Sequence, residues 1–271
     1  MRWVTAQPTR RGSLLLGALP LLVLAFGYII AAAARHADNP ADKILPLPGA
    51  MAAAMAGLVF EADPLSGQYL FWADTIASLS RLGMGLGIAT LSALLVGLVL
   101  GALPPVRATL GPLVTAIAVI PPIALLPILF IVFGLGETAK VALIVVGVAP
   151  FMIRDVAGHI GALPREQVIK ALTLGANSWG VILRVALPQA MPRLIEGLRL
   201  SLGPAWVFLI SAEAIAADVG LGYRIFLVRR YLAMDVILPY VAWIALLAVV
   251  MDVALTFASR RLFGWAHLGA R

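Results

Sequence analysis

Three stretches of this chain, residues 12–34, 82–106 and 108–136, contain no Asp, Glu, Lys or Arg. Each exceeds the roughly 20 mostly apolar residues that a helix needs to cross a bilayer. Barrel strands alternate over about 10 residues instead, and runs this long can satisfy their backbone groups in lipid as helices. Three further apolar blocks, less cleanly bounded, lie at 138–158, 198–217 and 236–258. The pattern predicts an all-α, polytopic membrane bundle of six spanning helices. Composition agrees, with 12% charged residues, 62% hydrophobic residues and a mean hydropathy of +1.02. Too few polar residues exist to cover a soluble core of this size, which excludes an ordinary soluble enzyme. The net charge of +7 does not make a nucleic-acid binder, because the basic residues are scattered among apolar segments. Cysteine is absent, so disulfides and thiolate metal sites are excluded.

The first apolar run follows Arg10 and Arg11 and ends in Ala31-Ala32-Ala33-Ala34. A secretory or twin-arginine signal has a similar outline, but its apolar core is 7–15 residues, so a retained first helix is the expectation. Orientation follows from basic residues near helix ends. With the N-terminus cytoplasmic, the inner segments hold Arg2, Arg10, Arg11, Arg107, Arg154, Arg165, Lys170, Arg184, Arg193, Arg199, Arg260, Arg261 and Arg271. The outer segments hold Arg35, Lys43, Arg81, Lys140, Arg224, Arg229 and Arg230. Outer acids, Asp38, Asp42, Glu61, Asp63, Asp74, Glu137, Asp218 and Asp235, offset those seven. Both termini are therefore expected inside. Lys140 and Arg154 sit near the two ends of a span, where long side chains can snorkel to the headgroups.

The chain reads as one membrane domain, 1–271, with a tail and first helix over 1–44 and core helices over 78–262. Residues 35–77 form an outer stretch whose Ala50–Phe60 segment is expected to be a helix on the outer surface or against the bundle. The inner stretch 159–197 predicts a helical hairpin at 164–188. Pro164 suits a first turn, and Val168, Ala171, Leu172 and Gly175 share one helical face. Asn177 or Ser178 can cap a second helix, on which Trp179, Ile182, Leu183 and Ala186 repeat the spacing. Leu187-Pro188 is expected to close it. Two small apolar faces on the cytoplasmic side suit docking onto a partner.

The third spanning run carries Pro112, Pro121, Pro122 and Pro127, with Gly134 and Gly136 at its end. Each interior proline removes a helix hydrogen bond and bends the rod. Such breaks in membranes occur where they are buried in protein or line a cavity, so Pro121, Pro122 and Pro127 are candidate pathway residues. Packing kinks are the competing reading. Glycines at 83, 85, 87, 97 and 101 favour close helix contacts, within the subunit or at a dimer interface.

From Leu174-Gly175-Ala176 to Leu187-Pro188 the chain resembles the signature of ABC-importer permeases, Glu-Ala-Ala, three residues, Gly, nine residues, Ile-x-Leu-Pro. Gly175 and Pro188 have the right separation, Val185 replaces the Ile, and Ile169-Lys170-Ala171 stands where Glu-Ala-Ala would. Other stretches resemble the nitrate, sulfonate and taurine importer type: Leu45-Pro46-Leu47-Pro48, Ser78-Leu79-Ser80-Arg81-Leu82 and Ile120-Pro121-Pro122-Ile123-Ala124. So do Pro127 with Phe133-Gly134-Leu135-Gly136-Glu137-Thr138-Ala139-Lys140, then Gly197-Leu198-Arg199-Leu200, Ala205-Trp206, Ala212-Glu213 and Gly220-Leu221-Gly222. The run Tyr223 to Tyr231 is similar to a subgroup associated with urea-carboxylase-type nitrogen metabolism.

The resemblance implies a type I importer permease that works as a homodimer in membrane lipid. It also implies two cytoplasmic ATPase subunits and an external substrate-binding protein, with nitrate, a sulfonate, taurine, bicarbonate or a small nitrogen compound as solute. ATP and Mg would sit on the partner ATPase, and this chain has no Gly-x-x-x-x-Gly-Lys-Ser/Thr loop to cradle phosphates. It implies that the hairpin, with Ala171, Gly175, Ala176, Trp179, Leu187 and Pro188, docks that ATPase.

Glu213 lies in an otherwise uncharged stretch, and an intramembrane acid is a functional candidate by default. The competing reading is an interhelical bond, or a partner such as Arg224. Ser211 and Trp206 share its helix; Ser211 joins the candidate pathway residues, and Trp206 reads as packing. Arg81 is expected to pair with an outer acid, with a role in attracting anions as the competing reading. Asp252 is a second intramembrane acid, so an ion-coupled secondary transporter using Glu213 or Asp252 is the alternative function. A membrane-embedded enzyme is the third class. His36, His159 and His267 are scattered, and neither His-Glu-x-x-His nor Gly-x-Ser-x-Gly occurs, so no catalytic set or metal site is expected.

Overall fold

The computed structural model describes residues 9–266. Arg2, His267 and Arg271 lie outside the described residues. The described residues are helical, without a strand among them, and they group into two compact units. One runs up to Tyr69 and includes Val228–Val241; the other comprises Leu70–Leu227 and the residues from Ala242 on.

In the first unit, α1 spans Arg10–Asp38 and α2 spans Pro48–Phe60. The Thr9 side chain caps α1 by accepting from the Gly12 N–H at 3.2 Å. The loop beyond α1 folds back on it through two contacts. Arg35 donates to both Asp42 carboxylate oxygens at 2.7 and 3.1 Å, and the Tyr28 hydroxyl donates to Pro46 O at 2.6 Å. Pro48 opens α2 at the first turn, where a missing N–H costs nothing. The helix expected at Ala50–Phe60 is present and begins two residues earlier.

The second unit is organised by three long helices, α3 (Leu70–Ala102), α6 (Glu137–Gly161) and α9 (Leu187–Ala216). Glycines set how closely α3 and α6 approach. A methyl group added at Gly85 would stand 2.7 Å from Ile144 Cβ, one at Gly97 3.0 Å from Val156 Cβ, and one at Gly101 2.6 Å from Ile160 Cβ. The offset along the chain is the same in all three pairs, so α3 and α6 run parallel in fixed register. Small residues let backbones meet where no water drives them together. These glycines therefore pack within the subunit, whereas Gly83 and Gly87 face open space. α9 runs antiparallel to both: Phe208 packs on Gly147, while Arg193, a helix length earlier, reaches Asp155.

Two parallel spans require the chain between them to cross back. It does so as α4 (Pro104–Val119), a 3₁₀ turn at Pro122–Leu125 and α5 (Leu126–Phe133), bent by 88° at the break. The expected kink is thus a full break. Pro121 and Pro122 donate no backbone N–H there, and Pro127 stands in the first turn of α5, where that loss is tolerated. Gly134, at φ 73°, then turns the chain into α6. Leu126, Leu143 and Ala212 form a buried core joining α5, α6 and α9. Among the described residues five helices are long and apolar enough to span a membrane, or six if the broken pair counts as one span.

Two boundaries differ from the sequence expectation. The second span begins at Leu70, so Asp74 and Arg81 lie inside the helix and are buried, not in an outer segment. Leu187-Pro188 does not close the hairpin. After α7 (Arg165–Thr173) and α8 (Ser178–Val181), a π-helical turn at Ile182–Ala186 leads straight into α9. Pro188 stands in the first turn of α9, where it is compatible with a helix that continues. α10 (Leu221–Val228) and α11 (Met234–Leu262) complete the chain.

Candidate functional site

The start of α3, the start of α6, the end of α9 and the start of α10 meet at one pole of the second unit, and six charges meet with them. Glu213 is fully buried. It accepts from Ser78 Oγ at 2.8 Å, from Arg81 Nη1 at 2.7 Å and from the Gly222 N–H at 2.8 Å. Ser78 Oγ in turn accepts the Leu221 N–H at 2.8 Å. Arg81 donates from Nη1 to Val219 O, and from Nε and Nη2 to the two oxygens of Glu137. Lys140 Nζ reaches the same carboxylate at 2.9 Å. Asp74, also fully buried, accepts from the Gly220 N–H at 2.9 Å and from Arg224 Nε at 2.8 Å. Three cations and three carboxylates pair here, as charges removed from water require, with Glu137 at the exposed edge of the group.

The loop Gly220-Leu221-Gly222 fits this cluster because it has almost no side chain. Gly220 has φ 138°, and a methyl group there would stand 2.6 Å from Glu213 Cδ and 2.7 Å from Arg81 Nη1. At Gly222 it would meet the Ile210 backbone at 2.9 Å. Two backbone N–H groups are thereby delivered to buried carboxylates. Beside the cluster, Trp243 Nε1 donates to Thr75 Oγ1 at 3.1 Å, and its ring packs on Phe71 with centroids 5.1 Å apart.

These contacts correct several expectations. Arg224, in the first turn of α10, pairs with Asp74, and the cation that reaches Glu213 is Arg81. Lys140 does not snorkel outward, since it is buried and turned onto Glu137. Arg81 does pair with an outer acid, Glu137, and also with Glu213. Ser211 stays with its own helix, donating to Val207 O at 2.7 Å. Trp206 is buried, and its indole N–H has no partner among the described residues. Asp252 pairs with Arg199 at 2.9 Å on the half-exposed flank of α9 and α11. Pro121 and Pro127 are exposed and Pro122 is half-buried, all at the break and none in the charge cluster.

The hairpin occupies the opposite pole, beyond the ends of α3 and α6. Gly175 has φ 88° and ends α7. The Ala176 N–H bonds Ala171 O, and the Gly175 N–H bonds Leu172 O, the Schellman arrangement that needs a left-handed residue. Asn177 caps α8, its side chain accepting from the Gly180 N–H at 2.8 Å. The two faces divide unequally. Ile182 and Ala186 are buried against the unit, whereas Leu174 is 79% and Trp179 64% exposed, with Ile169, Leu172 and Leu183 exposed around them. Beneath the hairpin Arg107 donates to Leu100 O and Gly101 O, satisfying carbonyls at the end of α3. Arg193 spans Asp155 and Glu196 nearby.

Among the described residues no group of three or more His, Cys, Asp or Glu is placed to hold a metal ion. Sequence reasoning singles out Glu213 and Arg81 but misses Asp74, Ser78, Glu137 and Lys140 as their company. The available signal was the clustering of charge at the ends of three apolar runs.

Comparison with known proteins agrees with this geometry. Residues 85–264 match the family described as "binding-protein-dependent transport system inner membrane component". The taurine transport system permease protein TauC of Escherichia coli K12 is 37% identical over 195 residues, covering 72% of this chain and 70% of TauC. The bicarbonate transport system permease protein CmpB of Synechococcus elongatus is 32% identical over 158 residues, 58% of this chain and 56% of that protein. The fold also matches a chain of the bacterial alginate ABC transporter crystallised with its alginate-bound periplasmic protein. That match has a TM-score of 0.63 at 16% identity and covers 93% of this chain and 96% of that one. The chain belongs to the binding-protein-dependent inner-membrane permeases, a family of ABC-importer transport proteins and not of enzymes.

Proposed function

We propose that this permease works as a homodimer with two cytoplasmic ATPase subunits and an external binding protein, importing a small solute that carries an oxyanion group. The observation that carries this reading is the glycine-terminated hairpin, whose exposed Leu174 and Trp179 lie at the pole opposite the charge cluster. A rigid apolar projection of that kind fits a groove on a partner, and Trp is favoured at such contacts. ATP and Mg belong to the ATPase. ATP acts only by favouring one arrangement of that partner, which the hairpin passes to the π-helical turn and α9. Candidate pathway residues are Pro121, Pro122 and Pro127 at the break, with Ser211 and Glu213 on α9.

Both termini lie in the cytoplasm on this reading, in a bacterial inner membrane. Arg81, Lys140 and Arg224 are consumed by acids within the cluster, which sharpens the excess of basic residues at the hairpin side. The names of TauC and CmpB support sulfonates and bicarbonate as the solute class. The test is reconstitution with a co-purifying P-loop ATPase and binding protein in liposomes. Uptake should require ATP and the binding protein. Uptake that persists without the ATPase and collapses with the proton gradient would overturn the reading.

A further inference from the structure

The six charges of the cluster are not held alike. Asp74 and Glu213 have no exposed surface, and each takes a backbone N–H from the glycine loop as well as an arginine. Glu137 takes no such bond; its carboxylate is held by Arg81 and Lys140. Its side chain is 57% exposed, whereas those of Arg81 and Lys140 are 3% and 4% exposed. Two buried cations thus present a guanidinium fork and an ammonium to one exposed carboxylate. The two sit in the same register that the glycine contacts impose on α3 and α6, so packing fixes their separation.

If Glu137 turns away, Arg81 keeps Glu213, but the buried Lys140 loses the carboxylate that it pairs with. That state is costly unless another anion enters. The donors that Glu137 vacates match any carboxylate, sulfonate or bicarbonate, since all offer paired oxygens to an arginine fork. We propose that Glu137 is a resident counter-ion which the transported oxyanion displaces, and that Arg81 and Lys140 form its binding subsite. This deepens the importer reading above and rests on it. The exchange keeps the buried charge balanced at each step, and the displaced carboxylate already lies at the surface of the unit.

The test uses the full chain in nanodiscs of uncharged phosphatidylcholine, without any ATPase, with ethanesulfonate and bicarbonate as probes and acetamide as the neutral control. Glu137→Gln removes the competing charge, so both oxyanions should bind about tenfold more tightly or better, and acetamide should be unaffected. Adding Lys140→Gln should reverse the gain. Equal oxyanion affinity in Glu137→Gln and the parent chain, or a gain that survives Lys140→Gln, would overturn the proposal. Should Glu137→Gln fail to fold, the unmodified chain still decides the matter. Ethanesulfonate should increase labelling of Glu137 by a water-soluble carbodiimide, and unchanged labelling defeats the idea. A failure of the importer reading would show separately, as absence of ATP-dependent uptake in liposomes while the binding results stand.

Discussion

Arg81 Nη1 lies 2.7 Å from Glu213 Oε1, and both side chains are shut off from solvent. The bond ties the start of α3 to the end of α9 across 132 positions of sequence. Removing one member of such a pair leaves a buried charge alone, at a cost of about 3–5 kcal/mol. Arg81→Met should therefore lower stability by that order, read as thermal unfolding in detergent. Glu213→Ala should do the same, since Ser78 and the Gly222 N–H also lose their acceptor. Unchanged unfolding in both variants would show that the pair does not hold the pole together.

Neighbouring glycines on α3 should respond in opposite directions. At Gly85 a methyl group would stand 2.7 Å from Ile144 Cβ, so Gly85→Ala must push α3 and α6 apart. Overpacking of this sort costs about 1–3 kcal/mol. Gly83 has open space, and Gly83→Ala should be neutral or stabilising by about 0.4–1 kcal/mol through the unfolded chain. Thermal unfolding of the two variants side by side checks the register of the helices.

Much of this architecture is legible in the chain because apolar runs and the Gly175-to-Pro188 spacing depend on local chemistry. Asn177 as a cap and Gly175 as a terminator follow from what those residues do to a backbone. The charge cluster is less legible. Asp74 and Arg81 interrupt the apolar pattern, so the pattern alone starts the second span too late; their partners lie on α6, α9 and α10. Lys140 looks like a snorkelling residue until Glu137 is seen facing it. Pro188 reads as a stop because proline so often is one, yet in the first turn of a new helix segment it is harmless. Such pairings depend on tertiary proximity, which periodicity does not contain.

Acid should loosen the loop after α1. The hydrogen bond from Arg35 holds the Asp42 carboxyl well below the usual carboxylate range, despite the opposing effect of burial. A carboxyl depressed in the folded state contributes stability that is complete above its unfolded value near 3.9 and is lost as pH falls toward the native value. Hydrogen exchange over residues 35–45 should thus be flat from pH 7 to 5, after correction for intrinsic rates, with protection lost progressively below about pH 4. Arg35→Gln should lower protection at neutral pH and flatten that acid dependence. An identical acid profile in the variant would mean the pair does not anchor the loop.

The hairpin gives the sharpest separation of folding from function. Gly175 needs its left-handed backbone to end α7, but a methyl group there meets nothing within 4 Å. Gly175→Asp places a strained side chain at φ 88°, though Asp tolerates left-handed backbone better than most, so insertion should persist and stability to thermal unfolding should fall by no more than about 1–2 kcal/mol. The added charge would nevertheless stand beside the exposed Leu174 and Trp179, on the surface we propose meets the ATPase. Co-purification of the ATPase should be lost, and ATP-dependent uptake with it. Trp179→Ala should weaken the same association by about 2 kcal/mol, the scale of a buried aromatic anchor. The binding of ethanesulfonate at Arg81 and Lys140 should be unaffected in both variants, because that subsite lies at the opposite pole. Normal uptake by Gly175→Asp would place the ATPase elsewhere on the chain.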